Sequence, residues 1–519
     1  MKHGKTIRSA GVVGSFTLLS RGLGMMRDVV IAYYFGTSLV ASAFFVAFTI
    51  PNLFRRFVAD EGLTGALVPA IAQAETAEGT EQAQTLANRI LTALLLLNAG
   101  IISLGMVAPE LLVWMSASGF AENPEKFALT VSMTRWMMPF LGMVSLVSFF
   151  EGLLNHRGHF FMPKIAPGLV SAGMSASAVL LSGWFENPAW AVVVGVWIGG
   201  AVHVLVHLPI VWSKWGPVRL MVGFGEPRVR RVLKELSKVV AIGVFAQLNI
   251  LVLRTLASFM GDGAVTRYMY STRLVDLAQG AIAVAIGSAL LPNIAQAVAA
   301  EDWDRFYADL VGAFRLAGFL LIPAAAGLFV FAVPLTSMVF LSTRYTWLDV
   351  MWTASALQLL TPFMLSVAGI NIVKKVYFAM DERNVLLGVG GLGVGLTGLI
   401  GWLLLDQNIL GLAVALSSAT VAQLVIYVAV LKWQLKEHMP VGPIFAPYAQ
   451  IAAASVPMSI FAYWAASRGQ WILGRTPDNI FWFVVGIGGA IVLYGIAAWI
   501  LGIDEFTKVS SRLLRRFGR

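Results

Sequence analysis

Residues Gly11–Phe35 read GVVGSFTLLSRGLGMMRDVVIAYYF. At about 1.5 Å of rise per residue this stretch can cross a bilayer as one helix, yet it places Arg21, Arg27 and Asp28 inside the hydrocarbon. A central arginine costs roughly 2.5 to 3.5 kcal/mol there, so such residues ordinarily face a bundle interior or a watery cavity and mark a substrate path. Seven helical positions turn through about 700°, which returns Asp28 to the stripe of Arg21, while Arg27 lies about 120° away. Gly22 and Gly24 lie between them. Two cations and one anion on a glycine-loosened helix point to an anionic ligand, with Asp28 as the resident partner that orients one arginine. Snorkelling to the headgroups is the competing explanation. It fits Arg21 poorly, because that residue is about 15 Å into the run.

The whole chain extends this pattern. Of its 519 residues 58% are hydrophobic and 12% charged, against roughly 25% charged in a soluble domain. Apolar runs of helix length recur from end to end, which excludes an outer-membrane barrel and leaves no stretch for a large soluble domain. With no cysteine and six scattered histidines, disulfides, thiolate sites and cysteine nucleophiles are excluded, and neither a metal site nor a cofactor is expected. The net charge of +10 sits at the ends of apolar runs, where membrane orientation explains it and nucleic-acid binding is not expected. Lys2, Lys5 and Arg8 imitate a secretory signal. Because Arg21 and Arg27 interrupt the apolar run and no small-residue cleavage site follows, the stretch reads as an uncleaved first span.

Fourteen spans are expected, from Ile7–Tyr34 to Ile480–Leu501, so both termini share one side. On a cytoplasmic assignment the connections there carry Arg157, Lys214, Arg228, Arg230, Arg231, Lys436 and the basic tail 512–519, which also suits anionic lipid; the opposite connections offer only Lys126, Arg344, Arg468 and Arg475. That asymmetry fixes the orientation. An internal repeat is visible as well. LVPAIAQA at Leu67–Ala74 returns as LLPNIAQA at Leu290–Ala297, and Pro139-Phe140 returns as Pro362-Phe363, both at an offset of 223 residues. Six spans per copy make the copies parallel, an arrangement that builds two lobes which rock about a midplane site. The expected fold is therefore an all-α polytopic membrane protein with fourteen transmembrane helices: lobes at residues 1–215 and 216–440, then two extra helices and a basic tail at 441–519.

Charge recurs in two further spans. The second carries Pro51, Arg55, Arg56, Asp60 and Glu61; a proline bend places the arginines beside a cavity, and since neighbours point about 100° apart only one faces it squarely, Arg55 being preferred. The eighth carries Arg267, Arg273 and Asp276, the last two at i and i+3 and able to pair, or to part when a stronger anion arrives. Arg135, Glu151, Arg254 and Arg315 lie in or near spans with nothing to cluster them. The intramembrane set thus has an excess of arginines, whose fork of donors suits phosphate or carboxylate oxygens. A phosphorylated or diphosphorylated lipid is a natural cargo, whereas a cation exporter would need the reverse excess.

These residues also resemble a known family. SRGLGMMRDVVIAYYFG at Ser20–Gly36, AFFVAFTIPNLFRRFVADEG at Ala43–Gly62 and the Arg273–Asp276 segment before GSALLP are similar to the MurJ (MviN) lipid II flippases of the MOP exporter superfamily, and the resemblance runs over nearly the whole chain. It implies a multi-pass protein of the bacterial inner membrane, both termini cytoplasmic, that moves lipid II, the undecaprenyl-diphosphate-linked peptidoglycan precursor, to the periplasmic leaflet. It also implies that Arg21, Arg27, Arg55 and Arg273 line a central cavity and that spans thirteen and fourteen form a groove for the isoprenoid tail; Asp28 and Asp276 join the candidate site on their spacing from those arginines. Arg56 and Ser42 are additional candidates. Ser42 stands where members carry an Asp, and that acid's role is not carried over; a sodium site described for some relatives has no carboxylate match around Gln247 and Asn249. Expected partners are lipid II, membrane lipids and cell-wall synthesis proteins. Two alternatives are a flippase for another polyprenyl-diphosphate glycan of O-antigen type and a polyprenyl-phosphate glycosyltransferase. The latter needs paired carboxylates in a sizeable loop, which no connection here offers.

Overall fold

The computed structural model describes residues 2–58, 61–159, 162, 166–289, 291–435 and 442–507, with side chains described outside 2–18, 56–66, 238–246, 281–293, 295 and 444. The described residues form helices and connections, with no strand among them. The chain divides into two compact units, 1–266 and 267–519.

In the first unit α1 (Lys2–Phe35) leads to α2 (Leu39–Val58), α3 (Glu61–Glu78), α4 (Thr80–Val107), α5 (Pro109–Ala117), α6 (Pro124–Met137), α7 (Phe140–His156), α8 (Pro167–Leu181), α9 (Ala189–Lys214) and α10 (Pro227–Ser258). Gly79, at φ +88°, makes the turn between α3 and α4, a backbone state that costs glycine little. Asn123 caps α6 by accepting from the Lys126 amide at 3.1 Å, with Pro124 in the first turn, where its missing N–H is not needed. Leu67, Ile71, Leu86, Ile90, Phe149 and Val211 bury a common core between α3, α4, α7 and α9. α8 packs along α9. A Cβ on Gly199 would lie 2.7 Å from the Val170 Cα, and one on Gly195 would lie 2.7 Å from the Met174 Cα, so these backbones touch because no side chain separates them. α10, which the span count gives to the second lobe, packs here against α2, α3 and α5.

The connection after α9 is laid along α4. Gln84 donates to the Trp215 carbonyl at 2.7 Å, Asn88 accepts from the Arg219 amide at 3.0 Å, and Thr92 accepts from the Met221 amide at 2.8 Å. Spaced four apart, the three side chains form one polar stripe on α4. Ion pairs of Arg89 with Glu226 and of Arg228 with Glu78 close its far end.

α11 (Ala264–Ala289) leads into the second unit, which continues with α12 (Leu291–Ala299), α13 (Trp303–Val330), α14 (Ala332–Phe340), α15 (Trp347–Leu359), α16 (Thr361–Ala379), α17 (Arg383–Leu403), α18 (Asn408–Leu435), α19 (Gly442–Ala466) and α20 (Pro477–Ile500). α13 packs against α16 and α19, and α19 against α20. Pro323 inside α13 cannot donate to the Phe319 carbonyl, and the Tyr494 hydroxyl does so instead at 2.7 Å, restoring the bond that proline removes. Tyr448 similarly donates to the Phe314 carbonyl at 2.9 Å. Arg315, expected to stand alone, clasps Asp504 at 2.9 Å and Glu505 at 2.8 Å; both acids lie nearly 190 residues further along the chain, a distance no local spacing reveals.

The order of elements repeats. α1 to α9 run long, broken, long and short in the same sequence as α10 to α18, with α4 and α13 both of 28 residues and α5 and α14 both of 9. Each Pro-Phe pair of the sequence repeat falls where a helix breaks, Pro139 ahead of α7 and Pro362 in the first turn of α16. Among the described residues eight helical stretches are long and apolar enough to cross a membrane, and α15 with α16, bent by 42°, would make a ninth. The other expected spans fall on α1, α2 with α3, α8, α10 and α11 with α12, all helical.

Candidate functional site

Asp28 is 2% exposed and holds Arg27, itself 11% exposed, through Nε at 2.9 Å and Nη2 at 2.7 Å. The same guanidinium lies 5.9 Å from the centre of the Phe48 ring on α2, near enough for a cation–π attraction. A buried carboxylate with an adjacent guanidinium loses much of its desolvation penalty, and the arginine is thereby fixed in one orientation. The resident partner expected of Asp28 is thus present, and the arginine it holds is its chain neighbour. Arg21 is exposed and lies about 10 Å along the axis from Asp28, too far for a direct bond between them. A Cβ on Gly22 or Gly24 would meet nothing within 4 Å, so this part of α1 borders open space.

On α2 the side chains of Thr49 and Asn52 donate to the carbonyls of Phe45 and Phe48, each at 2.7 Å, on either side of Pro51. Such returns to the backbone accommodate a proline in a span. Asn52 in turn accepts from Arg55 Nε at 3.3 Å, and the half-buried Arg55 guanidinium is within coulombic reach of His203 on α9. The Arg56 side chain lies outside the described residues. Ser42 is fully buried, its hydroxyl 3.2 Å from that of Thr266, so it packs helices together and presents no group to a ligand in this conformation.

In the second unit Arg273 and Asp276 are 3.9 Å apart, with Arg273 part-exposed and Asp276 exposed. That is a loose i, i+3 pair, weak enough to yield to a better anion. Arg267 has a different partner. It donates from Nε to Asp349 at 2.7 Å, and buried Asp349 also closes a capping box with Thr346 at the start of α15. The Thr346-x-x-Asp349 spacing carries the signal of a helix start, and sequence reasoning passed over it. Glu151, which the sequence left unclustered, in fact lies with His203 and His207, the ligand atoms of all three being within 4.8 Å of one another.

Outside the spans, Glu75 at the end of α3 meets His156 at 2.6 Å and Arg157 at 2.9 Å. The His156 hydrogen bond, helped by Thr80 and Arg157 against the opposing effect of burial, holds the Glu75 carboxyl below the usual range.

Comparison with known proteins agrees with this architecture. The family model described as lipid II flippase MurJ matches residues 31–482. A lipid II flippase MurJ of Burkholderia cenocepacia is 32% identical over 374 residues, 71% of each chain, and a probable lipid II flippase MurJ of Bdellovibrio bacteriovorus is 28% identical over 97% of this chain and 96% of its own. Among solved structures, a lipid II flippase MurJ in an inward closed conformation superposes with a TM-score of 0.78 at 20% identity, covering 98% of this chain and 99% of the other. An inward-facing multidrug resistance transporter of the MATE family and MOP superfamily superposes at 0.65 with 14% identity, covering 82% of this chain and 99% of the other. Such identities establish a shared fold. With the family match extending across most of its length, this multi-pass membrane protein belongs to the lipid II flippase MurJ family.

Proposed function

We propose that the protein carries lipid II from the cytoplasmic to the periplasmic leaflet of the bacterial inner membrane by alternating access, making and breaking no bond. Arg21, Arg27, Arg55 and Arg273 take the diphosphate, Asp28 and Asp276 hold Arg27 and Arg273 in readiness, and the isoprenoid tail stays in lipid. Residues 1–215 and 216–440 act as the moving lobes, α19 and α20 serve the tail, and both termini face the cytoplasm. Family membership supports the cargo. The observation that carries the mechanism is the buried Arg27–Asp28 pair at 2.7 Å on a helix that borders open space at Gly22 and Gly24, because a buried guanidinium beside an opening is what an entering diphosphate would meet. Binding relieves repulsion among the arginines, which favours closure and then outward opening. The excess positive charge also lets the membrane potential, worth about 2.3 kcal/mol per unit charge per 100 mV, assist the return.

The test replaces Arg273 with Ala and measures lipid II exposed at the outer face of the membrane. Flipping should fall sharply at unchanged expression; undiminished flipping would sink the assignment. Depletion separates the cargo classes: cells should lyse if lipid II is carried, and should change only surface polysaccharide if an O-antigen unit is.

A further inference from the structure

Glu151 on α7 and His203 and His207 on α9 form a group apart from the arginines assigned to the diphosphate. His203 is 4% exposed and, among the described residues, neither of its ring nitrogens has a hydrogen-bond partner; His207 is fully buried, with Nδ1 2.9 Å from the His203 carbonyl and Nε2 likewise unpartnered among them. Leaving three buried imidazole nitrogens unbonded is costly, since a buried polar group without a partner gives up its hydration and gains nothing in exchange. Packing does not explain the arrangement, because an apolar side chain would fill the space at lower cost. The i, i+4 spacing puts both rings on one face of α9, their centroids 5.2 Å apart, and the candidate ligand atoms of all three residues lie within 4.8 Å of one another. A tetrahedral zinc ion with bonds of about 2.0–2.1 Å sets its ligands roughly 3.3 Å apart. Small side-chain rotations would close the difference.

We infer that Glu151, His203 and His207 form a binding site for a divalent first-row transition metal, with Zn2+ as its reference ion. Two imidazoles and one carboxylate are a borderline donor set, suited to zinc and its neighbours and poorly suited to Mg2+ or Ca2+, which take oxygen. Three protein ligands leave one coordination position for water. Arg55, in coulombic reach of His203, opposes the ion's charge and Glu151 offsets it. Because its ligands come from α7 and α9, a bound ion fastens those helices together within the first unit and stabilises the folded protein by mass action.

The full-length protein, with any affinity tag of histidines removed and stripped by chelator, is titrated with Zn2+ alone against a chromophoric competitor. One ion per chain should bind, and the melting temperature should rise with zinc. Changing groups that merely support a metal's ligands costs about 10–100-fold in affinity, so H203A, H207A and E151Q, which each remove a ligand, should weaken binding by more than about 100-fold. His159→Ala, outside the group, should leave it unchanged. Failure of the wild type to bind more zinc than the H203A/H207A double variant overturns the site, as does one-to-one binding that survives in that variant. Should the variants fold poorly, X-ray absorption at the zinc edge of the wild type decides: two imidazoles in the first shell uphold the site, and their absence refutes it. Neither result bears on lipid II flipping, which is read separately.

Discussion

If Asp28 exists to hold Arg27, the two residues must be coupled in stability while only one of them is required for transport. At the observed 2.7 Å and an effective dielectric of about 20, their attraction is about 6 kcal/mol before desolvation. Arg27→Met leaves a carboxylate 2% exposed without the guanidinium that bonds to it, and breaking such a pair costs about 3–5 kcal/mol. Replacing both with apolar residues of similar size, Arg27→Met with Asp28→Leu, removes the desolvation of both charges and should return stability to within about 1 kcal/mol of the wild type. Chemical denaturation in mixed micelles measures the wild type, Arg27→Met, Asp28→Leu and the double variant, and the two single losses together should exceed the loss in the double variant by at least about 2 kcal/mol. Flipping, assayed on the same preparations as lipid II at the outer face, should be lost in both variants that lack Arg27, whether or not stability is restored. A stable double variant that flips at the wild-type rate would show Arg27 to be a packing element, and the argument from buried charge to anionic cargo would fail with it.

Other perturbations follow from single contacts. Asn88→Leu deprives the Arg219 amide of its acceptor; limited proteolysis should speed up between residues 216 and 222, with about 1–3 kcal/mol lost from the melt. Tyr494→Phe leaves the Phe319 carbonyl, already without its proline donor, unbonded, and should cost a similar 1–3 kcal/mol while Tyr463→Phe, on an exposed ring, costs nothing measurable. Glu75 has a folded-state pKa below its ordinary 4.5, so its contribution is complete above that value and is lost as pH falls through the lowered one; melting temperature against pH should therefore drop in acid, and Glu75→Gln should flatten that arm of the curve.

Much of this was legible in the sequence, for identifiable reasons. Long apolar runs can only be helices in lipid, and the offset of 223 residues paired Pro139 with Pro362, although the spans were drawn unbroken through both positions, where the structure ends one helical segment and starts the next. The i, i+3 relation of Arg273 to Asp276 survives as a pair of 3.9 Å. Helical-wheel angles left open which arginine Asp28 holds, since angles between Cβ atoms ignore how far an arginine can curl back to its neighbour. They showed no partner for Arg267, because Asp349 lies 82 residues away. The i, i+4 step from His203 to His207 was open to view, but Glu151 is brought to it only by the packing of α7 on α9. Gln84, Asn88 and Thr92 also stood at regular intervals along their helix; their use depends on a connection whose path nothing in residues 215–226 announces.

That connection has a consequence for how such a chain can change over time. A joint between duplicated halves ordinarily tolerates additions, since lengthening a slack loop costs little. Here three side chains of α4 grip Trp215, Arg219 and Met221 in fixed order, so one residue inserted between 216 and 220 shifts every downstream backbone group off its hook. Length variants should be tolerated within the loop tips, and purged from this stretch, which has become a thread sewn into the first half.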